Sequence, residues 1–291
     1  MCYSPSEMHT PRQYPRRLLL YMVLLAAVFG IAAAAGKAIG PETHETEATH
    51  GGDSGGHGQT AMGHEPAGLG IEADGYRLAV EDPTLPAGNR TTLRFKVLDT
   101  DGQPVHEFER EHGSRLHLII VRRDLSGYQH LHPSLAADGT WSIDLALPEP
   151  GSYRAFADFH SGGRDLTLGA DLHAPGDFEP RALPPASDAT SVDGYLVELT
   201  EPSPGDLRFS VSRNGREVTD IEPYLGARGH LVALREGDLA YLHVHPNEGP
   251  TPGAGVSFEA EFPSPGRYRL YLQFKHDGRV HTAELTREVT P

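Results

Sequence analysis

The sequence predicts an all-β protein built as two tandem immunoglobulin-like sandwiches, and two observations predict it. Tyr128-Gln129-His130-Leu131-His132-Pro133 recurs as Tyr241-Leu242-His243-Val244-His245-Pro246, and in each copy another histidine, His117 or His230, stands thirteen positions before the first; a self-match of this kind marks a duplicated unit. Gly 33 and Pro 24 in 291 residues favour short strands and turns over helices. The single cysteine, Cys2, lies ahead of the hydrophobic segment and leaves no disulfide within the body. It also excludes a blue-copper centre and a thiolate zinc site, which need cysteine ligands.

Residues 1–36 are a basic flank followed by the unbroken apolar run Leu18–Ala35. The run suits a secretory signal peptide or a short membrane-anchoring helix, with the arginines kept inside and the bulk exported. Cys2 precedes this run and is not placed as a lipoprotein cysteine. Residues 37–68 lack a hydrophobic period and read as a disordered linker. Here His44, His50, His57 and His64 recur beside Met62, either as a polar spacer or as a loose metal-collecting tail.

Residues 69–173 form the first expected domain. Tyr76–Glu81, Thr91–Leu98, Leu116–Arg122, Tyr128–His132, Trp141–Leu147, Ser152–Phe159 and Asp165–Leu172 read as strands bounded by turn residues such as Asp101-Gly102, Asp138-Gly139 and Gly162-Gly163. Residues 174–190 are a Pro-rich, stiff connector. Residues 191–291 repeat the plan. The offset is 113 through the histidines and 115 after them, where Pro265-Gly266-Arg267-Tyr268-Arg269 echoes Pro150-Gly151-Ser152-Tyr153-Arg154. Asp277-Gly278 marks a tight hairpin that pairs His276 with Arg279 and Phe274 with His281.

Histidines at i and i+2 of a strand point to one face, their Cα atoms roughly 7 Å apart, and can converge on one ion. A third imidazole from the preceding strand completes a set: His117 for His130 and His132, His230 for His243 and His245. In the second copy Ala240, Leu242 and Val244 share the opposite face, which should be the core face; the histidines then look toward solvent or a groove. His276 and His281 form a further pair or complete the second site. His106, His112 and His173 lack a counterpart and are expected at the surface. Imidazole suits copper, zinc and nickel, with copper highest in intrinsic affinity. Without Met or Cys in the domains the expected ion is Cu(II), with Zn(II) as the alternative. Binding should weaken below about pH 6, where imidazole protonates.

The run GHLVALREGDLAYLHVHP followed by FPSPGRYRLYLQFKHDGRVHTAEL resembles exported actinobacterial tandem β-sandwich proteins of unassigned role. In style these are similar to YtkA-like and copper-resistance C-type (CopC-like, cupredoxin-like) periplasmic metal-binding domains. The resemblance covers residues 191–291 better than 69–172. It implies an extracytoplasmic sandwich that handles heavy metal.

The formal net charge is −15; three arginines against one glutamate in residues 1–36 leave the remainder at −17. So acidic a body argues against nucleic acid and anionic lipid as partners, so membrane contact is expected only through the N-terminal segment. The expected function is a non-catalytic metal buffer or carrier, whose delivery partner the sequence does not name. Structural or adhesive surface modules are the first alternative. A metal-dependent enzyme is the second, with neither a His-Glu-x-x-His motif nor a clear general base in its favour.

Overall fold

The computed structural model describes Met22, residues 66–247 and residues 255–290, but not the side chains of His243 and His245. Apart from Met22, the expected signal or anchor run and the histidine-rich linker up to residue 65 lie outside the described residues. Among the described residues no helix is long and apolar enough to cross a membrane. Ala61–Pro291 form one compact unit.

The first sandwich contains β1 (Glu72–Ala73), β2 (Tyr76–Val80), β3 (Arg90–Leu98), β4 (His117–Arg122), β5 (Gln129–Leu131), β6 (Ser134–Leu135), β7 (Trp141–Ala146), β8 (Gly151–Ser161) and β9 (Arg164–Ala174). The second contains β10 (Ala189–Val192), β11 (Tyr195–Thr200), β12 (Asp206–Arg213), β13 (Arg216–Glu217), β14 (Gly229–Arg235), β15 (Tyr241–His243), β16 (His245–Pro246), β17 (Val256–Glu259), β18 (Gly266–His276) and β19 (Arg279–Val289). Sheet β1-β2-β3-β7-β6 packs on β5-β4-β8-β9, and β10-β11-β12-β17-β16, with β13 beside β12, packs on β15-β14-β18-β19. The chain is thus all-β, two immunoglobulin-like sandwiches in tandem, and the expected strands fall close to the observed ones.

The two kinds of sheet bury themselves differently, and their sequences say so. In β11, Tyr195, Val197 and Leu199 are buried while Leu196, Glu198 and Thr200 are exposed, the alternation of a half-wet sheet. In β4 all six residues, His117–Arg122, are buried. Leu118 and Ile120 enter the first core, whereas Ile119 and Val121 join Leu125, Phe156, Val232, Leu234, Tyr241 and Tyr271 in a separate cluster between the sandwiches. The two inner sheets therefore pack on each other as well as on their outer partners. Tyr128 stacks on Tyr271 with centroids 4.0 Å apart, and Phe156 meets Tyr241 at 5.4 Å. Tyr271 Oη–H donates to the Leu125 carbonyl at 2.7 Å.

This layer narrows the expected orientation of the histidine strands, toward solvent or a groove, to the second of these. Leu242 and Val244 do face the second core. The opposite face, with Tyr241, is covered by the first sandwich and not by water, because it also carries Val232, Leu234 and Tyr271, too much apolar surface to leave wet.

The segments outside the strands close the seam. The end of the expected linker runs between the inner sheets: Gly68 N–H donates to the Thr167 carbonyl and Tyr241 N–H to the Ala67 carbonyl, both at 3.0 Å. Gly169 permits this approach, since a Cβ there would stand 2.0 Å from the Gly68 carbonyl oxygen. The Pro-rich connector is tied down as well. Arg267 Nη2–H donates to the Leu183 and Pro184 carbonyls, and Arg181 N–H donates to Asp124 Oδ2 at 2.8 Å. Burial alone would raise the Asp124 carboxyl, but the buried Arg122 guanidinium at 2.7 Å, the Arg181 N–H and the Ser126 hydrogen bonds together outweigh it and hold the group down at about 2.

Tyr271→Ala removes the stack, the Leu125 hydrogen bond and a fully buried ring. It should cost about 3–5 kcal/mol of folding stability, read by urea or thermal unfolding of the purified protein.

Candidate metal centre

Strand register brings the first three histidines together. His130 on β5 lies opposite Ile119 on β4, and His117 opens β4 on the same face. His132 follows two residues after His130. The ring nitrogens converge: His117 Nδ1 is 2.8 Å from His130 Nε2 and 3.2 Å from His132 Nε2. One ring nitrogen from each of the three falls within 4.8 Å of the other two.

The outer partners decide where the protons are. His117 Nε2 lies 3.2 Å from the Glu111 carbonyl oxygen, which can only accept, so Nε2 carries the proton and Nδ1 is bare. His130 Nδ1 lies 2.7 Å from Gln273 Oε1, across the seam. The Gln273 amide nitrogen donates to Thr282 Oγ1 at 3.2 Å. With the Gln273 oxygen placed toward it, His130 Nδ1 is the donor and Nε2 is bare. Two lone pairs then face each other at 2.8 Å, which neutral imidazoles do not favour without a proton or a cation between them. This is the outer arrangement that orients histidine ligands in metal sites.

Burial keeps His130, His132 and His230 neutral. Desolvation first, then the neighbouring His117, depress His130 to about 3 despite the opposing Gln273 hydrogen bond. The same two causes lower His132 to about 4. His230 falls to about 4 by desolvation, against its hydrogen bond to the Tyr224 carbonyl at 3.0 Å. That bond is the counterpart of His117 to Glu111, 113 residues on.

His230 comes close to the first trio across the seam, its ring centroid 5.9 Å from His130 and 6.2 Å from His117. The backbone of His243 stands opposite Val232 as His130 stands opposite Ile119; the side chains of His243 and His245 lie outside the described residues. His112, expected at the surface, instead brings its ring to 5.2 Å from His230, through a left-handed turn (φ 45°) followed by Gly113. Leu225-Gly226 repeats that turn without an imidazole. His106 and His173 are exposed as expected.

The hairpin pairs His276 with Arg279 and Phe274 with His281, as expected. Both histidines lie on the Phe274 side of the sheet, toward the second core, whereas Tyr271 and Gln273 face the seam; they cannot complete a site with His230. His276 contacts Tyr195 Oη at 2.7 Å and Asp220 at 3.2 Å. His281 Nδ1 is 2.7 Å from Asp193, its ring buried against Tyr195 and Phe274.

Two groups escaped the sequence reading. Gln273 fixes the His130 tautomer, and Asp158, buried opposite His117 on β8, helps to line a cavity of about 30 Å³ with His112, His117, His130, His230 and Tyr241. That volume is enough for a water molecule or an ion. The 115-residue offset pairs Asp158 with Gln273, a signal that only gains meaning once the two sheets face each other.

A comparison with curated proteins finds no match. Among solved structures the chain is similar in shape to the FdeC adhesin of Escherichia coli (13% identity, TM-score 0.27, 76% of this chain and 65% of that one). It is likewise similar to invasin, a bacterial integrin-binding protein (14%, TM-score 0.24, 76% and 41%), and to a two-domain fibronectin type III segment of chicken tenascin (12%, TM-score 0.22, 74% and 97%). The chain spans less than two thirds of the length of the first two, and similarity at this level carries no functional argument. The family described as a domain of unknown function (DUF8832) matches residues 71–176 and again 190–291, and the chain belongs to that family, carrying its domain twice.

Proposed function

We propose that this protein is an exported, non-catalytic metal-binding protein that holds one Cu(II), or Zn(II), ion at the seam between its sandwiches, for buffering or delivery. The observation that carries the reading is the meeting of bare nitrogens on His117 and His130, with His132 Nε2 beside them, each outer nitrogen of the first two being tied to an oxygen acceptor. Nitrogens bound to one ion at the usual distance of about 2.0–2.1 Å stand roughly 3 Å apart, close to the observed spacings. Cu(II) comes first because a nitrogen-only set without thiolate or thioether favours it, and the resemblance to copper-resistance periplasmic domains points the same way. The basic, apolar and small-residue order of the N-terminal segment supports export, with membrane contact through that segment alone.

A second reading is favoured by the same hydrogen bonds: the histidines serve as polar glue in a structural or adhesive pair of modules. The two readings part on thermal stability. A bound ion stabilises by mass action, about 2.7 kcal/mol at a hundredfold excess over Kd, which is several degrees for a protein of this size. Calorimetry should show Cu(II) raising Tm in the wild type and failing to do so in His130→Ala/His132→Ala. An equal Tm with and without Cu(II) and Zn(II) in the wild type leaves the structural reading standing.

Gln273→Leu should retain the fold while loosening the His130 tautomer, lowering Cu(II) affinity about 10- to 100-fold in a competition titration. A change below threefold would separate Gln273 from the centre.

The pH dependence has a defined sign. Burial holds His130, His132 and His230 down at about 3 to 4 in the folded protein, below the unfolded value of about 6.5. Above 6.5 both states are neutral and nothing changes. As pH falls toward 4 the unfolded chain takes up protons that the folded one refuses, so metal-free stability declines, by up to about 1.4 kcal/mol per pH unit for each fully buried ring. Metal binding, expected from sequence to weaken below about pH 6, should persist to about pH 4 wherever the fold survives. Urea unfolding at stepped pH, with and without Cu(II), measures both.

A further inference from the structure

Outside the trio of converging imidazoles, one cluster can be judged against its own twin. His160, near the end of β8, pairs with Asp165 across the β8–β9 hairpin. Its Nδ1 is 2.7 Å from Asp165 Oδ1 and 3.8 Å from Glu111 Oε1, and its Nε2 is 3.4 Å from Glu109 Oε2. One ligand atom each from Glu111, His160 and Asp165 lies within 4.8 Å of the others. Among the described residues none of Glu109, Glu111 and Asp165 pairs with a lysine or arginine; His160 is their ion-pair partner.

In the second sandwich the corresponding position is Lys275. The same main-chain link holds both places: Glu109 N–H donates to the His160 carbonyl at 3.0 Å, and Glu222 N–H donates to the Lys275 carbonyl at 2.8 Å. There the Lys275 ammonium sits 2.8 Å from Glu222, so a permanent cation fills the spot. The first sandwich replaces that cation with an imidazole. It also adds two carboxylates, Glu111 where the twin has Tyr224 and Asp165 where it has Val280. Negative charge has grown while the fixed positive charge has gone, and a nitrogen donor has taken its place. One imidazole with several carboxylates is the donor set of a divalent site that accepts Zn(II) or Mn(II).

We propose that Glu111, His160 and Asp165, with Glu109 beside them, form a second and separate divalent-cation site at the outer edge of the first sandwich. Its ligand atoms are not those of the seam centre, although the Glu111 main-chain carbonyl also faces His117 Nε2 at 3.2 Å. The site differs from that centre in chemistry: carboxylate oxygen suits Mn(II), whereas an all-imidazole set suits copper and zinc.

The test is a Mn(II) titration of the full-length, chelator-stripped protein, followed by the electron paramagnetic resonance signal of free Mn(II), with Zn(II) calorimetry in parallel. The wild type should take up one equivalent of Mn(II) that is lost from both Glu111→Gln/Asp165→Asn and His160→Lys. The second variant installs the twin's own ion pair with Glu109, and so keeps the fold while filling the site. His130→Ala/His132→Ala should retain that equivalent, so failure of the seam centre is read separately. Retention of the Mn(II) equivalent in either carboxylate-site variant, or its absence from the wild type, overturns the proposal.

Discussion

The structure depends on the burial of both faces of its inner sheets. A sandwich needs one dry face per sheet, but β4 and β14 are apolar on both sides. The chain answers by packing one sandwich on the other through Ile119, Val121, Phe156, Val232, Leu234 and Tyr271. The Tyr128–Tyr271 stack and the Tyr271–Leu125 bond fix the register of that contact. Everything distinctive about the histidines follows from it. In water an imidazole swaps tautomers and protonates freely. At the rim of a dry seam it must choose, and its choice is set by the oxygens of Glu111, Gln273 and Tyr224.

Much of the fold was legible because its physical causes are local. Alternation in Tyr195–Thr200, turn chemistry at Asp277-Gly278 and the 113-residue echo are properties of short stretches, and the strands and hairpin register follow from them. The identity of His117, His130 and His132 as a trio was legible too, since a single strand pairing, β4 with β5, brings them together. The cover over the histidine face was not legible. Tyr241 beside two histidines reads as a half-polar face until Val232, Leu234 and Tyr271 are known to share it, and they come from strands whose relative placement no local pattern specifies. The unbroken run His117–Arg122, buried on both sides, was the available clue. It has the composition of a strand sandwiched between two layers.

His112 and Asp158 were missed for a related reason. Each lacks an identical residue in the second copy, so a search for repeated residues passes over them. His112 depends on a left-handed turn that Leu225 adopts equally well, which shows that the backbone came first and the imidazole was added to it. Asp158 and Gln273 hold the same place on β8 and β18, each across from the first histidine of its domain, yet one offers a carboxylate and the other an amide. Duplication has preserved the frame and let the chemistry diverge.

That divergence runs one way across the seam. In the described part of the molecule, the first sandwich supplies the converging rings of His117, His130 and His132. The second supplies the Gln273 amide that aims His130 and the Tyr271 ring that anchors the contact. The outer partner of His130 is present only when the second sandwich is docked, because Gln273 reaches it from a strand 143 residues away. The electrostatic state of the centre is therefore a property of the docked pair. Any loosening of the seam would readmit water, restore ordinary imidazole basicity and release the lone pairs from their common point. The covalent tandem favours docking through its high effective concentration, and the pinned connector at Leu183 and Pro184 narrows the geometries the two domains can explore.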